Sequence, residues 1–182
     1  VTIVGRSANG DAGGSVAHRY FEPVQSYLVL TQGETTDGKI VLEYQLGDKV
    51  AGWLVCDQDS KEGDVYYNKN YRFFVTNNAL MMMYTFSTSN KLTTLFHSSV
   101  VSHKGKAYMF LGKSGTGKST HSQLWLKHIE GTELVNDDNP VVRIIDGEAR
   151  VYGSPWSGKT PCYRNVNYPI GGIVKLKQAP RS

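Results

Sequence analysis

The densest chemical signal in the chain is the run Gly112-Lys113-Ser114-Gly115-Thr116-Gly117-Lys118-Ser119, which fits the Walker A pattern G-x-x-x-x-G-K-[ST] and is followed by Thr120. In such a loop the glycines let successive backbone N–H groups turn inward around a β-phosphate. The lysine reaches the β- and γ-phosphates, and the serine hydroxyl can hold magnesium. A helix beginning at the end of the loop adds its partial positive charge. The chemistry expected of Gly112 to Thr120 is capture of a nucleoside triphosphate, with ATP and Mg2+ as the ligands.

A second run, Gly153-Ser154-Pro155-Trp156-Ser157-Gly158-Lys159-Thr160, matches the same pattern by letter. It lacks the physics. Pro155 has no N–H to offer, Trp156 is bulky where backbone must approach phosphate, and Pro161 with Tyr163 and Asn165 opens no helix. The sequence therefore predicts a loop near the site, with Lys159 a candidate contact to substrate or γ-phosphate. Asp137-Asp138 supply two neighbouring carboxylates downstream of the first loop. One can complete a magnesium site, and the other can take the proton of an attacking hydroxyl. Asp-Asp-Asn-Pro is also good turn chemistry. His97 is read as lying in a strand just upstream.

These groups need elements to hold them. A strand at residues 107–111 is expected to run into the loop, and residues 118–130, free of Gly and Pro, predict a helix that stops at Gly131. Leu124, Trp125, Leu126 and Ile129 give that helix an apolar stripe. A strand at 95–102 should join 107–111 through His103-Lys104-Gly105-Lys106. A short strand at 133–135 should deliver the aspartates, a hairpin of 141–145 with 149–152 should turn at Asp146-Gly147, and a last strand is expected at 173–176.

Residues 26–86 read as a β-rich lobe with runs at 27–30, 40–44, 53–55, 65–67, 73–75 and 80–86. Asp37-Gly38, Gly47-Asp48, Glu62-Gly63-Asp64 and Asn77-Asn78 would form the breaks. The triple Met81-Met82-Met83 is expected to pack in a strand. The division is then a lobe over 1–93 and a P-loop core over 94–182. Residues 1–15, rich in Gly, Ser and Ala, read as a mobile terminus without signal-peptide layout. The stop at Ser182, just after a strand, suggests that further elements complete the fold.

Composition bounds the function. Apolar residues make up 40% and charged residues 20%, as in globular proteins. The net charge of +4 is spread without a run of like charges, so nucleic acid is not the expected partner. The longest nearly apolar run, 79–86, is far short of the ~20 residues that cross a bilayer. Cys56 and Cys162 form no metal or disulfide pattern and fit a reducing cytoplasm. Self-association is left open.

The order of elements, a β-rich lobe before the loop and a hairpin after the aspartates, differs from the common GTPase and ATPase layouts. The stretch from His97 through Gly112 to Thr120 and on to Asn136-Asp137-Asp138 resembles the catalytic core of HPr kinase/phosphorylase, a family of bacterial protein-serine kinases. The resemblance implies an α/β (α+β) fold: a phosphoenolpyruvate-carboxykinase-like P-loop kinase core with a mixed β-sheet, preceded by the β-rich lobe. It implies that Lys118 stabilises the transferring phosphate. Ser119 and one aspartate, taken as Asp137, would hold the metal, while Asp138 acts as acid/base assisted by His97. The likeness covers about residues 95–142. Thr120 stands where the family has glutamate, and Arg164 is the one candidate for the family's substrate-side arginine. The expected activity is transfer of the γ-phosphate of ATP to a hydroxyl, with serine of a protein or peptide as acceptor. The alternatives are a non-catalytic nucleotide-binding regulatory module and, below it, a carboxykinase-type enzyme.

Overall fold

The computed structural model describes residues 2–7, 19–20, 28–158 and 160–178. The chain is a mixed α+β protein that divides into two compact units, Val1–Ser87 and Thr88–Ser182. Each has its own sheet.

Among the described residues the first unit holds six strands: β1 (Thr2–Ser7), β2 (Arg19–Tyr20), β3 (Leu28–Glu34), β4 (Ile40–Leu46), β5 (Lys49–Cys56) and β6 (Glu62–Tyr67). Their order is β1-β6-β5-β4-β3-β2, antiparallel except for the parallel pair β1 and β6. Thr2–Ser7 is thus a sheet strand where the sequence predicted a mobile terminus, and the rest of 1–15 lies outside the described residues. Glu62-Gly63-Asp64 is not a break but the start of β6; the turn lies earlier, where Ser60 takes a left-handed φ of 53°.

The larger correction concerns residues 72–89, which form one 18-residue helix, α1 (Arg72–Ser89), rather than strands at 73–75 and 80–86. The stretch contains no Gly or Pro, and its Met, Leu and Ala are strong helix formers. Val75, Ala79 and Met83, spaced four apart, are buried in a cluster with Leu42, Tyr44, Leu54, Cys56 and Val65. Full burial of each larger side chain contributes about 1.5–3 kcal/mol. Asn78, read as part of a turn, instead donates its side-chain amide to the Phe74 carbonyl one turn back, at 2.8 Å. The methionines therefore pack in a helix: Met83 is fully buried and Met82 partly.

The second unit holds β7 (Thr93–Leu95), β8 (Ser98–His103), β9 (Lys106–Leu111), α2 (Lys118–His128), β10 (Glu133–Asn136), β11 (Val141–Ile145), β12 (Glu148–Tyr152) and β13 (Asn167–Lys175). The sheet order is β10-β8-β9-β13-β12-β11-β7, and among the described residues only β9 and β13 are parallel. Lys104-Gly105 and Asp146-Gly147 make the two-residue turns expected of them, both residues of each pair having positive φ. The last strand begins six residues before the predicted one. Val100, Ala107, Met109, Val135, Val142 and Val151 form the core of this unit.

Of the apolar stripe predicted on α2, Trp125, Leu126 and Ile129 are half-buried, and Leu124 departs from it. Leu124 is exposed, whereas Trp125 meets Tyr108 at a tilt and Phe110 edge-on, with centroids 5.1 and 5.5 Å apart, and His121 meets the Phe110 ring edge-on at 4.5 Å. Ser122 lies between them in sequence and is fully buried. Both cysteines are free and buried, and no described helix is long and apolar enough to cross a membrane.

Candidate functional site

Strand pairing gathers the predicted residues at one end of β8, β9 and β10. Ser98 pairs with Leu111, so His97 and the loop leaving β9 lie side by side. The Ser98 N–H donates to the Asp138 carbonyl at 2.9 Å, which brings the end of β10 to the same place. His97 itself lies in the short break between β7 and β8, not within a strand.

The loop from Gly112 to Gly117 turns through left-handed residues at Gly115 (φ 80°) and Gly117 (φ 95°), and Gly117 caps α2 without a side-chain partner. Only glycine takes such angles without strain. The unpaired first N–H groups of α2 are left available to an anion. Lys113, Ser114 and Gly115 are exposed at the loop surface, as are Ser119 and Thr120 on the first turn of the helix. The Thr116 hydroxyl closes the loop by donating to the Lys113 carbonyl at 2.8 Å. Lys118 is buried, and its ammonium donates to the Gly112 and Lys113 carbonyls at 3.0 and 3.4 Å. After β13 the Leu176 N–H donates to Leu111, and the Gln178 amide donates to Gly115 at 3.0 Å.

The two aspartates differ in environment. Asp137 is buried; its Oδ1 accepts from the Ser99 hydroxyl at 2.7 Å, while its Oδ2 is buried with no hydrogen-bond partner among the described residues. Asp138 is half-buried with Oδ1 3.5 Å from His97 Nε2. Burial pushes the Asp138 carboxyl above its ordinary range, opposed by His97 and Lys118 and helped by Asp137. Burial, then the Lys118 charge, push His97 below its ordinary value, against the pull of Asp138. Both shifts favour the uncharged forms of the pair.

The second glycine run is laid against these carboxylates. The Asn139 N–H donates to the Trp156 carbonyl at 3.2 Å, and the Ser154 hydroxyl donates to the Asn139 carbonyl at 2.6 Å. Asn136, fully buried, braces both sides: its amide donates to Ser154 Oγ at 3.1 Å, and its Oδ1 accepts the Asp138 N–H at 2.9 Å. Asp137 and Asp138 thus form a bend braced by Asn136. Residue 159 lies outside the described residues, so the expectation for Lys159 concerns a position the structure does not describe. Arg164 binds the Leu134 carbonyl at 3.0 Å and Glu133 at 2.8 Å. Four residues of strand, about 13 Å, separate Glu133 from Asp137. Arg164 is therefore held at the end of β10 away from Asp137.

Magnesium prefers hard oxygen ligands and commonly takes one or two from protein, the rest from phosphate and water. The partnerless buried Oδ2 of Asp137 and the exposed hydroxyl of Ser119 suit that donor set. Among the described residues no three His, Cys, Asp or Glu side chains form a metal-holding group by themselves. Ser99, Ser122 and Asn136 were missed by sequence reasoning. The available signal was a run of serines in β8, a strand whose first five residues are all buried.

Comparison of the chain with protein-family models and with curated proteins returns no match.

Proposed function

We propose that the protein is a magnesium-dependent phosphotransferase that moves the γ-phosphoryl group of ATP to a hydroxyl, with serine of a protein or peptide as the acceptor class. The observation that carries this reading is the juxtaposition at one sheet end of a glycine loop with its buried lysine and two unequal aspartates. One aspartate has an unpartnered buried oxygen, and the other has a raised proton affinity beside a histidine. The proposal includes a phosphoenolpyruvate-carboxykinase-like core and a cytoplasmic location.

In this mechanism the loop N–H groups and the α2 N-terminus bind the phosphates, and Lys118 exchanges its carbonyl partners for phosphate oxygens, a stronger charge-assisted contact. Ser119 and Asp137 would hold Mg2+, which when bound neutralises charge on the phosphates. Asp138, half-buried and ionised, accepts the proton of the acceptor hydroxyl as its oxygen bonds to the γ-phosphorus. The bond to the β-bridging oxygen breaks and ADP leaves. A base whose proton affinity is raised toward the working pH performs this step better than an ordinary aspartate. His97, whose Nε2 lies 3.5 Å from Asp138 Oδ1, would assist this proton transfer.

The test is transfer of radiolabelled γ-phosphate to candidate serine-bearing proteins and peptides, with Asp138→Asn as control. Transfer by the unsubstituted chain and its loss in the variant are expected. ATP binding without transfer to any acceptor or to water would replace the enzyme with a nucleotide sensor.

A further inference from the structure

Two buried hydroxyls at the site have no part in the mechanism above. Ser99 in β8 and Ser122 in α2 are both fully buried, and their oxygens are 2.6 Å apart. Ser99 Oγ is also 2.7 Å from Asp137 Oδ1. A carboxylate only accepts, so the single proton of Ser99 goes to Asp137. Ser122 must then donate to Ser99. The relay runs one way, Ser122 to Ser99 to Asp137, each bond polarising the next.

This relay has a geometric result. With Oδ1 engaged, the carboxylate cannot rotate freely, and Oδ2 is left as the oxygen without a partner. Ser122 follows Ser119 by three residues on α2, which puts the two on neighbouring turns of one helix face. The orientation of Asp137 is therefore tied to the helix that carries Ser119. Two apolar side chains would fill a contact between strand and helix without desolvating hydroxyls, so packing alone gives no reason for the serines.

We propose that Ser99, backed by Ser122, is a positioning residue that turns Asp137 so that Oδ2 is presented to the divalent cation accompanying the nucleotide. The inference rests on the nucleotide reading of the loop from Gly112 to Ser119. It predicts that the relay governs the part of ATP binding that depends on magnesium and leaves the remainder alone.

The experiment measures ATP affinity of the full chain by calorimetry, in magnesium and in EDTA, with folding of each variant checked by its melting curve. Ser99→Ala should lose about tenfold of the gain magnesium confers, the usual scale for removing a partner that orients a ligating group. Its affinity in EDTA should stay within about twofold of the starting value, because the loop contacts are untouched. Ser99→Thr keeps a hydroxyl on a residue that strands favour and should retain the gain. Ser122→Ala should lose less than Ser99→Ala, and the double variant no more than Ser99→Ala alone. An unchanged magnesium gain in Ser99→Ala, with ATP still bound, overturns the relay and spares the nucleotide reading. Equal losses in magnesium and EDTA, or failure of Ser99→Thr to rescue, make Ser99 a packing residue and also overturn it. Absence of ATP binding by the unsubstituted chain removes the nucleotide reading and the relay together.

Discussion

Gly117 and Gly158 occupy the same place in the same eight-letter pattern, yet the backbone uses them differently. Gly117 has a φ of 95°, and a Cβ there would find nothing nearer than Thr120 Cβ at 4.0 Å. Its requirement is conformation. Gly158 is not among the left-handed residues, but a Cβ there would lie 3.0 Å from the Asp137 carbonyl oxygen and 3.2 Å from Asp138 Cβ. Its requirement is space. The first glycine shapes a loop that exposes N–H groups, and the second lets a loop lie flat against the aspartates. A pattern of letters that cannot distinguish these uses finds two phosphate loops where the fold builds one loop and one wall.

The largest effect should separate the two lysines. Lys118→Ala is expected to cut phosphoryl transfer by about 100- to 1000-fold, the scale for removing one donor to a charged transition state. Lys159→Ala should cut transfer by far less; a loss of transfer there comparable with that of Lys118→Ala would break the comparison.

The glycines should separate next, and by kinetic type. Gly158→Ala displaces the aspartates and should lower kcat by about 10- to 100-fold with ATP affinity kept. Gly117→Ala meets left-handed strain of about 1–2 kcal/mol and should weaken ATP binding by about tenfold. Equilibrium binding beside steady-state rates distinguishes the two.

A smaller effect is expected in the pH profile. Asp138 must be ionised to act, so the acid limb of kcat should lie above the ordinary 3.8 of an aspartate. His97 opposes the raised value, so His97→Asn should move that limb to higher pH. The sign for stability is the reverse. A carboxyl with raised folded pKa binds its proton more tightly folded than unfolded, and folding loses that contribution as pH rises through the folded value. Asp138→Asn should therefore raise the melting temperature at pH 7, and the gain should vanish below about pH 4.

The smallest effect belongs to Arg164. Its partly exposed ion pair with Glu133 supports β10, so Arg164→Ala should cost about 1 kcal/mol of stability and leave ATP binding alone. A large rise in KM for the acceptor would instead place the arginine on the substrate side.

Much of the second unit was legible because its turns are chemically explicit. Lys104-Gly105 and Asp146-Gly147 announce two-residue hairpins, and the glycine loop announces the helix after it. Residues 72–89 were not legible, since aromatic and β-branched residues near Asn77-Asn78 imitate strand and turn. What decides the helix is burial of Val75, Ala79 and Met83 against strands distant in sequence. At the site, His97, Lys118, Asp137 and Asp138 stood out as types with known chemistry, whereas Ser99, Ser122 and Asn136 make contacts across 18 to 38 positions, which no local pattern encodes.

The hydrogen bond from Gln178 to Gly115 gives the loop a handle outside its own sequence. Whatever draws the Gly115 peptide inward pulls on the residues that leave β13, and exposed Lys177 rides on that short tether. An environment-sensitive dye on a cysteine introduced at position 177 should change its emission when the loop fills, giving an optical readout of occupancy without a probe on any phosphate contact.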